Sequence, residues 1–146
     1  MFVTANQLNL STAGSINAQA TGEGAAGTVQ IAAQNLTMNQ GGVISSSSTG
    51  PGVGGSVVIQ GQTISLDGGS SISATADQST AGSISIDAND SLTMKGNSAI
   101  TTVAGRNGGD INLNVGQLVY LLDSVGHAIV PSPHGGASVR RRAMSR

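Results

Sequence analysis

The chain has 146 residues, a formal net charge of -1, no cysteine, and only two aromatic residues, Phe2 and Tyr120. That length suits one domain rather than two large ones, and the missing thiols exclude disulfides and thiolate metal sites in any compartment. Through Asp123 the only cations are Lys95 and Arg106 against all seven acids, so the body is mildly acidic and offers no basic patch to nucleic acid.

A core normally draws volume from aromatics; here Val, Ile, Leu and Met must fill a thin one. Richness in Gly and Ser would by itself suit a disordered chain, but the apolar residues are placed too regularly for that. The first unit sets Met1 and Val3, then Leu8 and Leu10, then a lone Ile16. The second follows Gly27 with Val29 and Ile31, Leu36 and Met38, and Ile44. The third follows Gly55 with Val57 and Ile59, Ile64 and Leu66, and Ile72. The fourth follows Gly82 with Ile84 and Ile86, Leu92 and Met94, and Ile100; the fifth follows Gly109 with Ile111 and Leu113, then Leu118 and Tyr120. The period is 27 to 28 residues.

Insertions fall in the turns. The Ile72 to Gly82 turn is one residue shorter than Ile44 to Gly55, and Ile86 to Leu92 is one longer than Ile59 to Ile64. The apolar positions stay in phase, as turns that absorb length changes allow. Spacing by two within each pair means short strands with one buried face, and the Gly and Ser punctuation disfavours helix. Each unit is expected to carry three such strand positions separated by turns. No unit can bury its apolar side chains alone, so the units stack. The expected fold is all-β: a parallel β-solenoid of four to five coils over residues 1–124, with columns such as Val29, Val57, Ile84 and Ile111 running up the interior. Thr37, Ser65 and Thr93 form one outward ladder, and Ser45, Ser73 and Thr101 another.

From Ser124 the pattern stops. Residues 125–146 hold two of the three prolines, both histidines and the cations Arg140, Arg141, Arg142 and Arg146. This segment is expected to be an irregular, disordered basic tail, read as the frameshifted end of a longer reading frame. The alternative is a genuine basic tail that binds an acidic surface. Met1 falls straight into the repeat, so no signal peptide is visible, and runs such as Leu118–Leu122 are too short to span a bilayer.

The strings Gly27-Thr-Val-Gln-Ile-Ala-Ala-Gln-Asn-Leu-Thr-Met-Asn, Gly41-Gly-Val-Ile-Ser-Ser-Ser-Ser and Gly108-Gly-Asp-Ile-Asn-Leu-Asn resemble the repeats of filamentous haemagglutinin-type exoproteins, especially the long cyanobacterial ones. The resemblance covers Met1 to Ser124. It implies a single-stranded, right-handed parallel β-helix, export through an outer-membrane two-partner-secretion translocator, and display at the surface of a Gram-negative cell or release from it. It also implies adhesion, with host or neighbour-cell surface glycans as partners. The family's N-terminal secretion domain with its Asn-Pro-Asn motifs is not found, since Pro occurs only at positions 51, 131 and 133. The chain is therefore expected to be a fragment lacking its own export signal.

Candidate sites have plainer readings beside them. Gly50-Pro-Gly-Val-Gly-Gly55 looks like a nucleotide loop, but Ser56-Val57 starts a strand where a phosphate loop needs Lys-Ser/Thr and a helix. Gly108-Gly-Asp110 faintly resembles a calcium-binding β-roll, but the equivalent positions are Thr28, Ser56 and Ser83, which cannot supply stacked carboxylates. Asp67, Asp87, Asp90 and Asp110 are the acids for glycoside chemistry on a β-helix; Asp67 aligns with Lys95 as a surface ion pair, and Asp87 and Asp90 are expected in or beside a turn. His127 and His134 lack further zinc ligands nearby. A Thr grid for ice is broken by Asn17 and Val103.

No catalytic, cofactor-binding or metal residue is therefore assigned. The expected function is a non-catalytic stalk and adhesion segment; the alternative is a glycan-binding or carbohydrate-active β-helix. A solenoid of this kind ends in strand edges that can pair with another chain. The isolated chain should self-associate end to end, and sedimentation velocity at moderate concentration should show assemblies; a stable monomer would contradict this.

Overall fold

The computed structural model describes residues 1–122, 129–130 and 137–141. All regular elements there are strands: β1 (Phe2–Leu10), β2 (Ser15–Ala20), β3 (Val29–Met38), β4 (Val43–Ser48), β5 (Val57–Leu66), β6 (Ser71–Ala76), β7 (Ile84–Lys95), β8 (Ala99–Ala104), β9 (Ile111–Val115), β10 (Leu118–Leu122), β11 (Ile129–Val130) and β12 (Ala137–Arg141). Every pairing is parallel; most skip one element along the chain, and β10 with β7, β11 with β8 and β12 with β9 skip two. One sheet runs β1-β3-β5-β7-β9-β12, with β10 also on β7; the other runs β11-β8-β6-β4-β2. This is a parallel β-solenoid of about four turns. At one strand spacing per coil, about 4.8 Å, it rises on the order of 20 Å.

The expected interior columns are present. Val29 lies beside Val57, Val57 beside Ile84, and Ile84 beside Ile111. Ile16, Ile44, Ile72 and Ile100 form the matching column of the second sheet. The side chains of Ile31, Ile59, Ile64, Leu66, Ile86 and Leu92 are wholly buried. Coil-to-coil backbone bonds such as Val29 N–H to Ser56 O (2.9 Å), Val57 N–H to Ser83 O (3.0 Å) and Ile84 N–H to Asp110 O (2.8 Å) hold the stack.

Two sequence expectations need correction. The first two strand positions of each unit are not separated by a turn in the lower coils; they merge into the long strands β1, β3, β5 and β7. Within β3, Val29, Ile31 and Ala33 point inward, then Gln34 and Asn35 both point outward, then Leu36 and Met38 point inward. Side chains alternate along a straight strand, so two consecutive outward residues mark a corner where the strand bends around the core. The second correction concerns the last coil. Leu118 and Tyr120 are 50% and 46% exposed, while Val119 lies beside Leu92 and Leu121 beside Met94. The extra residue between Ala88 and Leu92, which shifts the register against Gly61–Thr63, is kept in the coil above it. A parallel coil copies the path of the one below, so the insertion is inherited and the column moves by one.

The tail also contributes. β11 sets Ile129 beside Ile100, and β12 sets Ala137 and Val139 beside Ile111 and Leu113. The remainder, with His127, His134, Arg142 and Arg146, lies outside the described residues.

Turns between the sheets repeat one geometry. Gly14, Ser70 and Ser98 amides donate to the carbonyls of Ser11, Asp67 and Lys95 at 3.0, 3.3 and 3.3 Å. The two central residues are left-handed, as in Gly68 (φ 59°) and Gly69 (φ 76°), or Gly96 (φ 62°) and Asn97 (φ 61°). That pair defines a type I′ turn, which favours Gly and Asn. Thr12 and Ala13 take the same angles in the first coil, at a steric cost of about 1–2 kcal/mol each.

A different constraint selects the glycines that open each unit. A Cβ on Gly55 would run into the carbonyl of Gly27, one on Gly82 into that of Gly55, and one on Gly109 into that of Gly82. The sequence reading missed what faces these glycines from inside. Ser46 Oγ donates to Gly27 O at 2.7 Å and Thr102 Oγ1 to Gly109 O at 2.9 Å. Ser48, also buried, has no partner for its hydroxyl.

These interiors predict opposite signs for two small substitutions. Ile59→Ala should destabilise by about 3 kcal/mol, as cavity formation at a buried site does. Ser48→Ala removes an unsatisfied hydroxyl from a column that otherwise holds Ala20, Ala76 and Ala104, and should stabilise by about 1 kcal/mol. Urea unfolding of both variants beside the parent chain checks the pair.

Candidate functional site

Any function on a solenoid of this kind is written on the outward columns. In the first sheet one column reads Asn9, Thr37, Ser65, Thr93 and Tyr120. In the second, Asn17, Ser45, Ser73 and Thr101 form a column, and Gln19, Ser47, Thr75 and Val103 the next. Both sequence-derived ladders are thus in place, with Asn17 joined to Ser45 by a hydroxyl hydrogen bond of 2.9 Å. Each of these columns changes residue type along its length, so none of them presents a uniform grid.

The acids are dispersed among other partners. Asp67 and Lys95 meet across one coil step at 3.1 Å, as their alignment implied. The Lys95 ammonium, bonded to the carboxylate, holds the Asp67 pKa below its usual value; partial desolvation opposes this, and the Gly68 N–H at 2.7 Å assists it. Asp87 and Asp90 are not in a turn: both belong to β7. Asp87 accepts a 2.7 Å hydrogen bond from Asn114 Nδ2 one coil above, which accounts for it within the strand stack. Asp110 lies in the glycine-led connection before β9, beside no second carboxylate column, since Ser83 and Ser56 precede it. Among the described residues no group of three metal-binding side chains comes together.

The Gly50–Gly55 stretch is a connection between β4 and β5. Gly50 and Gly52 are there because a Cβ on either would strike the carbonyl of Gly22 or Gly24 in the coil below. Coil stacking explains these glycines without a phosphate.

A feature of the outer surface that the sequence does not announce is at the corner of the long strands. Asn6, Gln34, Gln62 and Asn89 rim a groove of 390 Å³, with Ala33 and Gly61 among its lining residues and Thr4 and Gln60 to one side. Position 61 is glycine because a Cβ there would press on Ala33 O. All four rim amides are exposed. The signal is legible as amides recurring at 27- to 28-residue spacing, but without the corner they read as turn residues.

No family model, characterised protein or solved structure matches this chain.

The Asp67–Lys95 pair carries a pH dependence of definite sign. A carboxyl whose folded pKa is lowered contributes stability above its unfolded pKa, and loses it as pH falls through the folded value. Lys95→Met should raise the Asp67 pKa and shrink this acid-range component. A carboxyl carbon NMR titration of both chains checks the direction; an unmoved Asp67 would show that the contact does not persist in solution.

Proposed function

We propose that this chain is a non-catalytic stalk and adhesion segment of a secreted, surface-displayed protein of the filamentous haemagglutinin type. The observation that carries the reading is the chemistry of the outward columns: short neutral polar side chains, mixed from coil to coil, on a stack whose interior is continuous. Such a body extends a chain by about 4.8 Å per coil and keeps its surface hydrated. Carbohydrate-active chemistry would call for two carboxylates facing one sugar. Here Asp67 is tied to Lys95 and Asp87 to Asn114.

The resemblance supplies the rest of the reading: an outer-membrane translocator as export partner, a surface location, and glycans on neighbouring cells as adhesion targets. Weak polar contacts repeated along a rod add through effective concentration, so a stalk needs no deep pocket to adhere. Antibody raised against the chain should label intact cells that make it, lose that label on external protease treatment, and lose it when the translocator gene is deleted. Labelling only after the cells are opened would overturn the proposal.

A further inference from the structure

We propose that the corner groove is a binding site for a neutral, linear polysaccharide of extended pyranose units. The inference adds a ligand class to the adhesive stalk reading and rests on it only for biological sense, since the binding can be measured on the chain alone.

Three observations support it. The groove spans successive coils, with Asn6 on β1, Gln34 on β3, Gln62 on β5 and Asn89 on β7. Its amides therefore recur every 4.8 Å or so, close to the length of one pyranose residue in an extended β-1,4-linked chain. The strand bend creates the column: the outward pair Gln34 and Asn35 in β3 has its counterpart in Asn6 and Gln7 of β1.

The second observation is chemical. Each carboxamide offers donors and an acceptor in one plane, the complement of sugar hydroxyls that both give and take hydrogen bonds. Shedding water from a neutral amide costs far less than from a charge. Gly61, which has no side chain, leaves backbone open in the lining of the groove.

The third is electrostatic. No lining residue is charged, whereas Asp87 and Asp90 lie beside the Asn89 end on the same strand. They disfavour uronates and sulfated glycans, so the ligand is neutral. An open, aromatic-free groove gives weak affinity at a single site, in keeping with adhesion by repetition.

The test is a proton–nitrogen NMR titration of the full chain with cellohexaose, run beside tetragalacturonate. Cellohexaose should shift the side-chain amides of Asn6, Gln34, Gln62 and Asn89 with a dissociation constant in the millimolar range. The double variant Gln34→Ala/Gln62→Ala removes exposed amides, leaves the interior columns intact, and should weaken binding about tenfold. Gln19→Ala, exposed on β2 in the other sheet, should leave binding unchanged. No saturable shift, shifts centred on β2, undiminished binding by the double variant, or equal binding of tetragalacturonate would each overturn the proposal. None of those results bears on surface display, so the stalk reading stands or falls separately.

Discussion

The structure depends on one distance, the step between hydrogen-bonded parallel strands. Each coil must lie about 4.8 Å above the last, so each residue meets its counterpart one period away rather than a partner chosen from elsewhere. Apolar columns follow directly, because an Ile that buries itself against an Ile below and another above leaves no gap. The same step explains why Gly55, Gly82 and Gly109 recur. Where the connection returns to the long strand, the carbonyl beneath occupies the place a Cβ would need. Even the irregularity obeys the rule, since the extra residue in β7 is carried into the coil that pairs with it.

A core built this way is narrow and needs no aromatics. Aliphatic columns fill the sides lined by Ile31, Ile59 and Ile86 and by Leu36, Ile64 and Leu92, while the second sheet turns a less apolar face inward. Ala74 lies between Ser46 and Thr102 in one column. The hydroxyls there are structural: they bind the glycine carbonyls that close packing leaves facing the interior. A buried hydroxyl with a partner is cheap, and one without is costly, which sets Ser46 and Thr102 apart from Ser48.

Outside, the same stacking disperses chemistry rather than concentrating it. A side chain's nearest outward neighbours are its own counterparts, so a charge pair forms only where the counterparts are opposite in sign, as at Asp67 and Lys95. The corner is different. There two adjacent outward residues splay apart around a bend, and their amides rim a trough that crosses successive coils. Extended ligands with a repeat near the coil step are the ones such a trough can follow, and weak contacts to them gain strength from repetition.

The sequence by itself determined the period, the membership of the large aliphatic columns through the fourth unit, the outward Ser and Thr ladders, and the Asp67–Lys95 contact, but not the inward columns of Ser46 and Ser48. These were legible because coil stacking turns a spacing of 27 or 28 into a contact, with no long-range partner to guess. Only the tertiary structure decided that paired strand positions fuse around a corner, that Val119 rather than Leu118 occupies the inner column, and that part of the tail pairs with β8 and β9. Those outcomes depend on the backbone path of the coil beneath, which a residue's own neighbours in sequence do not encode. The amide groove belongs with them, since Gln34 and Gln62 are neighbours by stacking but rim a groove only where the strands bend.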